Sequence, residues 1–477
     1  MTTRPSLKSP PFLLADLLAG LPPEWPADLT ADLRAAALRS GKKVVVLDDD
    51  PTGTQTVHGV PVLTEWSVET LCDELANDLP AVYLLTNSRS LPLAEAQALN
   101  ADAGRNLRRA SERTGRRFAV VSRSDSTLRG HFPGETDALA AALGGGFNAV
   151  LLIPAFIAGG RLTVDNVHYV ADAERVVPAG DTEFARDASF GYRASDLRQW
   201  VEEKTAGTVR ADQVGAISLS TIRIGGPEQV ARELLTLKGG AVCVVNAASE
   251  SDLAVAVLGI LTAERQGRRF LYRTAASFVP LRAGLAPRSL LAADALPLSG
   301  AAGALIVVGS YVPQSSRQVC ALLEVPGIIS VEVNVAALLD ERGRAGEIDR
   351  VAGHVTAHLR RGMDVVMYTS RLLVTGGDST ASLAIGRRIS DGLVAIVRSI
   401  AEPPRYILAK GGITASDTAT RGLGVRRAMV MGQIRAGVPV WQLGAETRFP
   451  GLAYIVFPGN VGERDTLAGI VSELRAG

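Results

Sequence analysis

Three consecutive carboxylates, Asp48, Asp49 and Asp50, stand between the apolar run of residues 44–47 and the turn Pro51-Thr52-Gly53. Like charges at the end of a buried strand repel one another and cost stability unless a cation, a positive side chain or a substrate hydroxyl sits among them. An isolated Asp-Pro pair reads as a solvated turn. Here the next three apolar runs end in polar stretches as well. They deliver Asn87-Ser88-Arg89-Ser90, then Asp125-Ser126-Thr127-Leu128-Arg129-Gly130, then Gly159-Gly160-Arg161. Arginine beside hydroxyls suits a small polar anion, because a guanidinium grips a carboxylate through two parallel hydrogen bonds. Carboxylates opposite suit sugar hydroxyls, or the removal of a proton from one. Asp50, Asp49 and Asp125 are the candidate bases. Pro51 holds Asp50 extended, and neighbours in an extended chain face opposite ways, so Asp50 is preferred and Asp49 is left to bind a hydroxyl or hold the loop. Asn87, Ser88, Arg89, Ser126, Thr127, Arg129 and Arg161 are the candidate acceptor-binding residues. His168 joins them, although a lone His, like Asp165, Asp172 or Asp187, is more often structural.

A second group lies far along the chain. The apolar run 406–409 leads into Lys410-Gly411-Gly412-Ile413-Thr414. Glycines let the backbone approach an anion, and the helix that follows offers unpaired N–H groups. Lys410 reads as a point charge for phosphate, while Thr414 and Asp417 have the spacing of a capping box. The similar run 375–379 lacks a cation and reads as a loop. Neither G-x-x-x-x-G-K-[ST] nor G-x-G-x-x-G occurs. His354 and His358 have the spacing of a zinc pair without the accompanying Glu, which suits a solvated helix face.

Strands alternating with helices must position these groups, which implies right-handed crossovers, parallel sheets and ligand binding along one sheet edge. The expected fold is α/β with two domains, each on a mainly parallel sheet flanked by helices, and an active site in the cleft between them. The boundaries expected are a helical extension over 1–40, a first domain over 41–285 and a second over 300–477. A chain of 477 residues with 47% hydrophobic and 5% aromatic residues fits this class. With 50 Lys plus Arg against 49 Asp plus Glu, it has neither a basic field for nucleic acid nor an acidic tail. No run reaches the roughly 18 apolar residues of a membrane span. Cys72, Cys243 and Cys320 have no metal or redox spacing and read as buried thiols of a cytoplasmic protein.

Taken together, the motifs resemble those of the four-carbon acid sugar kinase family. The family's Asp-Asp-x-Thr-Gly is similar to Asp49-Asp50-Pro51-Thr52-Gly53, its x-Ser-Arg-Ser to residues 87–90, and its Asp-Ser-Thr-x-(Lys/Arg)-Gly to residues 125–130. Its Pro-Ala-x-x-x-x-Gly-Arg is similar to residues 154–161. Gly309-Ser310, the Gly-Gly-x-Thr of 411–414, the Gly-Gln-Ile-x-x-Gly-Val-Pro of 432–439 and the Gly-Asn-x-Gly of 459–462 have counterparts in its nucleotide half. Three positions depart from better-known members: Asn87 stands where Lys is common, His131 where Asn is, and Ile413 where Glu is. The resemblance implies an N-terminal sugar-acid domain, a C-terminal nucleotide domain, ATP with Mg²⁺, and a tetronate, 3-oxo-tetronate or branched acid as acceptor. It implies nucleotide contacts from Gly309, Ser310, Lys410, Gly411, Gly412, Ile413, Thr414, Gly432, Gly459 and Asn460, and leaves the metal ligands open. The acid and ATP are the partners expected, with a second copy of the chain as the one macromolecular candidate. Two other readings stay open: a sugar-acid sensor without turnover, and an aldolase or isomerase that holds a metal in the Asp cluster.

Overall fold

The computed structural model describes residues 12–172, 174–298, 302–371, 374, 379–459 and 461–476. The chain divides into two compact units, Met1–Gly53 with Trp66–Pro287, and Thr54–Glu65 with Arg288–Gly477.

The first unit is built on seven strands in the order Gly215–Ile217, Ala241–Val245, Ala149–Ile153, Phe270–Thr274, Phe118–Arg123, Lys43–Asp48 and Ala81–Leu85, with every neighbouring pair parallel. Helices flank these strands, so a strand such as Ala81–Leu85 is apolar and buried throughout rather than alternating. The helix Leu93–Thr114 is stopped by Gly115, whose φ of 68° only glycine adopts without strain. Register then decides where chemistry can gather. Ile153, Thr274, Arg123, Asp48 and Leu85 pair in one row across five strands, so the loops that follow four of them, after Asp48, Leu85, Arg123 and Ile153, start level on one edge.

Two features of this unit were not anticipated. Arg161–Val164, Val167–Asp172 and Arg175–Pro178 form an antiparallel sheet closed by Phe12–Leu13. The strand Phe270–Thr274 lies between two strands whose exits carry candidate residues.

The second unit's sheet is mixed. Val60–Leu63, Arg427–Arg435, Val438–Leu443 and Ala453–Phe457 pair with one another antiparallel in that order, and Ile407–Lys410, Leu305–Val308, Val365–Thr369 and Ile329–Val333 continue the sheet from Ala453–Phe457 in parallel. Ile306, Val308, Leu408, Ile455, Leu467 and Leu474 are among its core residues. Burying each such side chain contributes about 1.5 to 3 kcal/mol. Val308, Lys410 and Phe457 pair in one row, which brings the turns at Gly309, Gly411 and Pro458 to one level.

Among the described residues no helix is long and apolar enough to cross a membrane. The three cysteines are free, but they are not uniformly buried: Cys243 is buried, Cys72 half-buried and Cys320 exposed, because Cys320 falls on the outer face of the helix Pro313–Leu323.

Candidate active site

Arg89 is the centre of the first unit's strand-exit cluster. Its Nε and Nη2 donate to Asp49 at 3.1 and 2.6 Å, while Nη1 lies 3.4 Å from Asp50 and 3.9 Å from Asp125. One guanidinium thus faces three carboxylates. Burial works against its charge, but the three anions outweigh burial and hold its pKa well above the usual arginine range. The tight-turn residue Asn87, at φ 49°, turns the chain so that Arg89 can double back; Asn tolerates this region better than most residues.

The carboxylates differ in how much of each remains open. Asp49 is 3% exposed and accepts from Arg89 and from the Ser124 hydroxyl, so it is a fixed element of the cluster. Asp125 is tied by Arg129 Nε at 2.7 Å and by the Thr127 hydroxyl. Asp50 keeps the largest exposure of its side chain among the three, 22%, and only Oδ1 is bound locally, by Thr52 N and Oγ1 at 2.8 and 2.6 Å. Burial raises the Asp50 pKa, but Arg89 and Thr52 more than offset it and the group stays below the ordinary carboxylate range. Asp48 behaves oppositely. Burial, with Asp49 and Asp50 adding to it and Arg123 at 3.5 Å only partly opposing it, pushes its carboxyl up to about 8. A Cβ on Gly53 would come within 1.8 Å of Asp48 Oδ2, so the turn after the cluster closes over that carboxyl only because residue 53 is glycine.

The 125–130 loop is strained and then buttressed. Leu128 has φ 68°, costly for a branched side chain, and is buried. His168 holds the loop from behind: its Nε2 meets the Ser126 carbonyl at 2.8 Å and its Nδ1 the Thr163 hydroxyl at 3.0 Å. It is fully buried, and burial pulls its pKa down to about 4. Expected as a ligand contact, His168 has both ring nitrogens committed to protein and serves as a strut. Thr127 is buried and its carbonyl accepts from Tyr192 OH at 2.7 Å. Arg129 extends over the Phe184 ring toward Asp187, 3.7 Å away. Arg161 folds onto the Gly159 carbonyl beside His168. Ser88 is buried under the cluster and donates to Glu135, which also accepts from Asn100 at 3.3 Å. Glu135 and Arg273 are members of this network that sequence reasoning did not single out. His131, one of the three departures, is bound to the Leu91 carbonyl at 2.9 Å and edges onto Phe190.

In the second unit three glycine turns converge. A Cβ on Gly309 would lie 2.3 Å from Thr414 Oγ1, one on Gly411 3.0 Å from Ser310 Cβ, and one on Gly459 3.1 Å from Ser310 Oγ. Ser315 Oγ bridges Ser310 Oγ and the Gly459 carbonyl at 2.9 and 3.0 Å. Arg371, unforeseen, donates from Nη1 to the Ser310 carbonyl at 2.8 Å. The helix Gly412–Asp417 is capped by Gly411 at φ 110°, so Thr414 lies inside it and not at the cap. Ile413 is 59% exposed.

Two expectations are corrected here. Lys410 offers no charge to a phosphate: it is fully buried, its Nζ donates to the Pro458 carbonyl at 2.9 Å and sits 3.8 Å from the centre of the Phe457 ring. As the last residue of its strand it points into the core, and burial pulls its pKa down to about 7. Gly432 stands apart from the converging turns, at a register shift in Arg427–Arg435 where a Cβ would meet Leu291 at 3.4 Å. Asn460, and positions 375–378 of the loop 375–379, lie outside the described residues.

Arginines and carboxylates gather at one strand edge of the first unit, and glycine turns at one level of the second. Residues 44–281 match the model of a sugar-binding N-terminal domain, and residues 305–467 that of a nucleotide-binding C-terminal domain. The chain belongs to the four-carbon acid sugar kinase family, and is by family a carbohydrate kinase. It is similar to a D-erythronate kinase of Heliobacterium modesticaldum, 28% identical over 376 residues covering 75% of this chain and 79% of that one. A D-threonate kinase of Cupriavidus necator is 29% identical over 360 residues, covering 74% and 78%. The fold is shared with a solved Haemophilus influenzae protein at 18% identity and a TM-score of 0.63, over 91% and 99% of the two chains.

Proposed function

We propose that this protein transfers the γ-phosphoryl group of ATP to a terminal hydroxyl of a tetronate, a 3-oxo-tetronate or a branched relative. The observation that carries the reading is the cluster in which Asp49, Asp50 and Asp125 share Arg89 while Asp50 keeps the most exposed side chain of the three, its Oδ2 held by nothing local but the ion pair. The D-erythronate and D-threonate named for two relatives support the acceptor class.

A hydroxyl is a poor nucleophile at rest. Asp50 Oδ2 accepts its hydrogen bond, orients a lone pair toward phosphorus, and takes the proton as the new O–P bond forms. The depressed pKa of Asp50 is compatible with this, because in a loose phosphoryl-transfer transition state the hydroxyl is deprotonated late and needs positioning more than a strong base. Arg89 keeps Asp50 ionised and fixes Asp49, and Arg129 and Ser126 line the same acceptor crevice. On the donor side, Gly309, Gly411 and Gly459 leave the backbone bare where phosphates would lie, and Ser310 and Thr414 supply hydroxyls.

Among the described residues no group of three His, Cys, Asp or Glu could hold a metal ion, and the acceptor carboxylates are already paired with Arg89. We therefore assign Mg²⁺ to the substrate, as MgATP, where it neutralises charge on the transferring phosphates. Reliance on ATP fits the cytoplasm.

The test is to incubate the purified chain with MgATP and a panel of D-erythronate, D-threonate and 3-oxo-tetronates, following ADP release and the phosphorus spectrum of the product. A phosphomonoester on the terminal carbon is expected. Binding of acid and nucleotide without ADP release would make the protein a sensor instead.

A further inference from the structure

Among the described residues the first unit has four arginines that are almost wholly buried, and three of them carry their counter-ion: Arg123 has Asp48, Arg223 has Asp252 and Arg282 has Glu264. Arg273 is the exception. It is 4% exposed, forms no ion pair among the described residues, and its one hydrogen bond is from Nη2 to the Arg129 carbonyl at 3.3 Å. No described carboxylate lies within ion-pair distance of it, and Asp49, Glu135 and Asp125 act on it only from farther away, so the cost of removing its guanidinium from water is only partly offset.

Position says where that partner would come from. Arg273 pairs with Ser122 and Leu152 in the sheet, one residue below the row from which the acceptor loops emerge. Gly130, at φ 116°, lies over it: a Cβ there would sit 3.3 Å from Arg273 Nη2, 3.2 Å from Asp49 Oδ2 and 2.7 Å from Ser124 Oγ. With no side chain at residue 130, the backbone there comes close to a cation, a carboxylate and a hydroxyl. Arg89, the sequence-level choice for the acid, already faces three carboxylates and has no charge to spare.

We propose that Arg273 is the acid-recognition residue of the acceptor site, taking the substrate carboxylate beside Gly130, while Arg89 positions the carboxylates that act on the hydroxyls. This rests on the acceptor class proposed above. It makes Arg273 a specificity determinant for anionic over neutral four-carbon polyols.

Arg273→Gln and Arg273→Lys, made in the full chain, test it against D-erythronate, D-threonate and the neutral polyol erythritol. At saturating MgATP, Arg273→Gln should raise the KM for the acid by at least about 30-fold, the equivalent of losing a desolvated charge pair. The KM for ATP should stay within about twofold, Arg273→Lys should recover part of the loss, and the preference of the acid over erythritol should collapse in Arg273→Gln. A merely structural role would change the acid and erythritol alike. An unchanged KM for the acid in Arg273→Gln overturns the assignment and leaves the kinase reading intact. If the wild-type chain turns over no acid, the kinase reading fails, and calorimetric binding of D-erythronate then decides: retained in Arg273→Gln it overturns the assignment, lost it supports it. Should Arg273→Gln fail to fold, Arg273→Lys carries the same test, with an unchanged KM or unchanged acid binding again overturning it.

Discussion

The strand-exit cluster of the first unit and the glycine turns of the second, proposed above to take the acceptor and the nucleotide, occupy equivalent places in their units, the carboxyl ends of parallel strands, but they are made of different material. The first is assembled from charged side chains that neutralise one another around Arg89. The second is assembled from backbone: three turns meet because three residues lack a Cβ, and the strand-end cation, Lys410, is turned inward to hold a carbonyl of one turn. Charge recognises an acid and moves a proton; bare backbone fits the shape of a phosphate chain. The two sites should therefore fail in different ways when altered.

The largest expected effect comes from neutralising one charge in the first site. Asp50→Asn keeps the shape and the bonds from Thr52 but removes the charge. It should lower kcat by roughly 10² to 10⁴, as for a lost general base, with a much smaller effect on either KM. A fall below about tenfold in a folded Asp50→Asn protein, with a large fall in Asp125→Asn or Asp49→Asn, would move the role to that residue. Unchanged rates in all three would remove carboxylate base catalysis.

The second site should respond to volume. Gly309→Ala would put a methyl 2.3 Å from Thr414 Oγ1, so the 411–414 turn must move. Overpacking of this kind costs about 1 to 3 kcal/mol, and a loss of nucleotide affinity of about tenfold or more should follow, with binding of the acid unaltered. Thr414→Ser combined with Gly309→Ala keeps the oxygen that the new methyl meets and should not restore the affinity. Calorimetric titration with a nonhydrolysable ATP analogue reads both. Equal affinity in the wild type and Gly309→Ala would separate these turns from the nucleotide.

How far each site could be read from the sequence follows from the same contrast. Asp48, Asp49, Asp50, Arg89 and Asp125 were legible because charge at the end of an apolar run violates the ordinary rule of burial. Arg273 was not, since it sits in a run of five residues, Phe270–Thr274, with no alternation to mark a strand. Glu135, second in its helix, looks like an ordinary favourable charge at a helix start. Lys410 was legible as a residue but not as a direction: which face a strand's last side chain takes is set by register with its neighbours. The antiparallel strands 427–435 and 438–443 carry no mark in the sequence that sets them apart from the parallel crossovers around them. In Arg427–Arg435, Met429 and Met431 fall on the half-buried face, which blurs the expected polar alternation.

The smallest effects are pH slopes of opposite sign, one from each unit. Asp48 is raised from 3.8 to about 8 by burial, beside Asp49 and Asp50. Between these values the folded chain keeps a proton that the unfolded chain has lost. Its contribution is fully present below 3.8 and declines until pH passes about 8. Lys410 is lowered from 10.5 to about 7, so between 7 and 10.5 the unfolded chain holds the extra proton and stability rises with pH. Urea unfolding from pH 5 to 9 should show Asp48→Asn gaining on the wild type as pH rises toward 8, because the amide stays neutral. Lys410→Met should show its advantage over the wild type shrink above pH 7, since the burial penalty it removes fades as the amine loses its proton. The second variant also frees the Pro458 carbonyl, a loss that does not depend on pH, so the slope and not the offset carries the information. A wild type and Asp48→Asn pair with parallel profiles across pH 5 to 8 would mean that Asp48 is ionised. The cluster would then hold four carboxylates, Asp48, Asp49, Asp50 and Asp125, one more than Arg89, Arg123 and Arg129 balance.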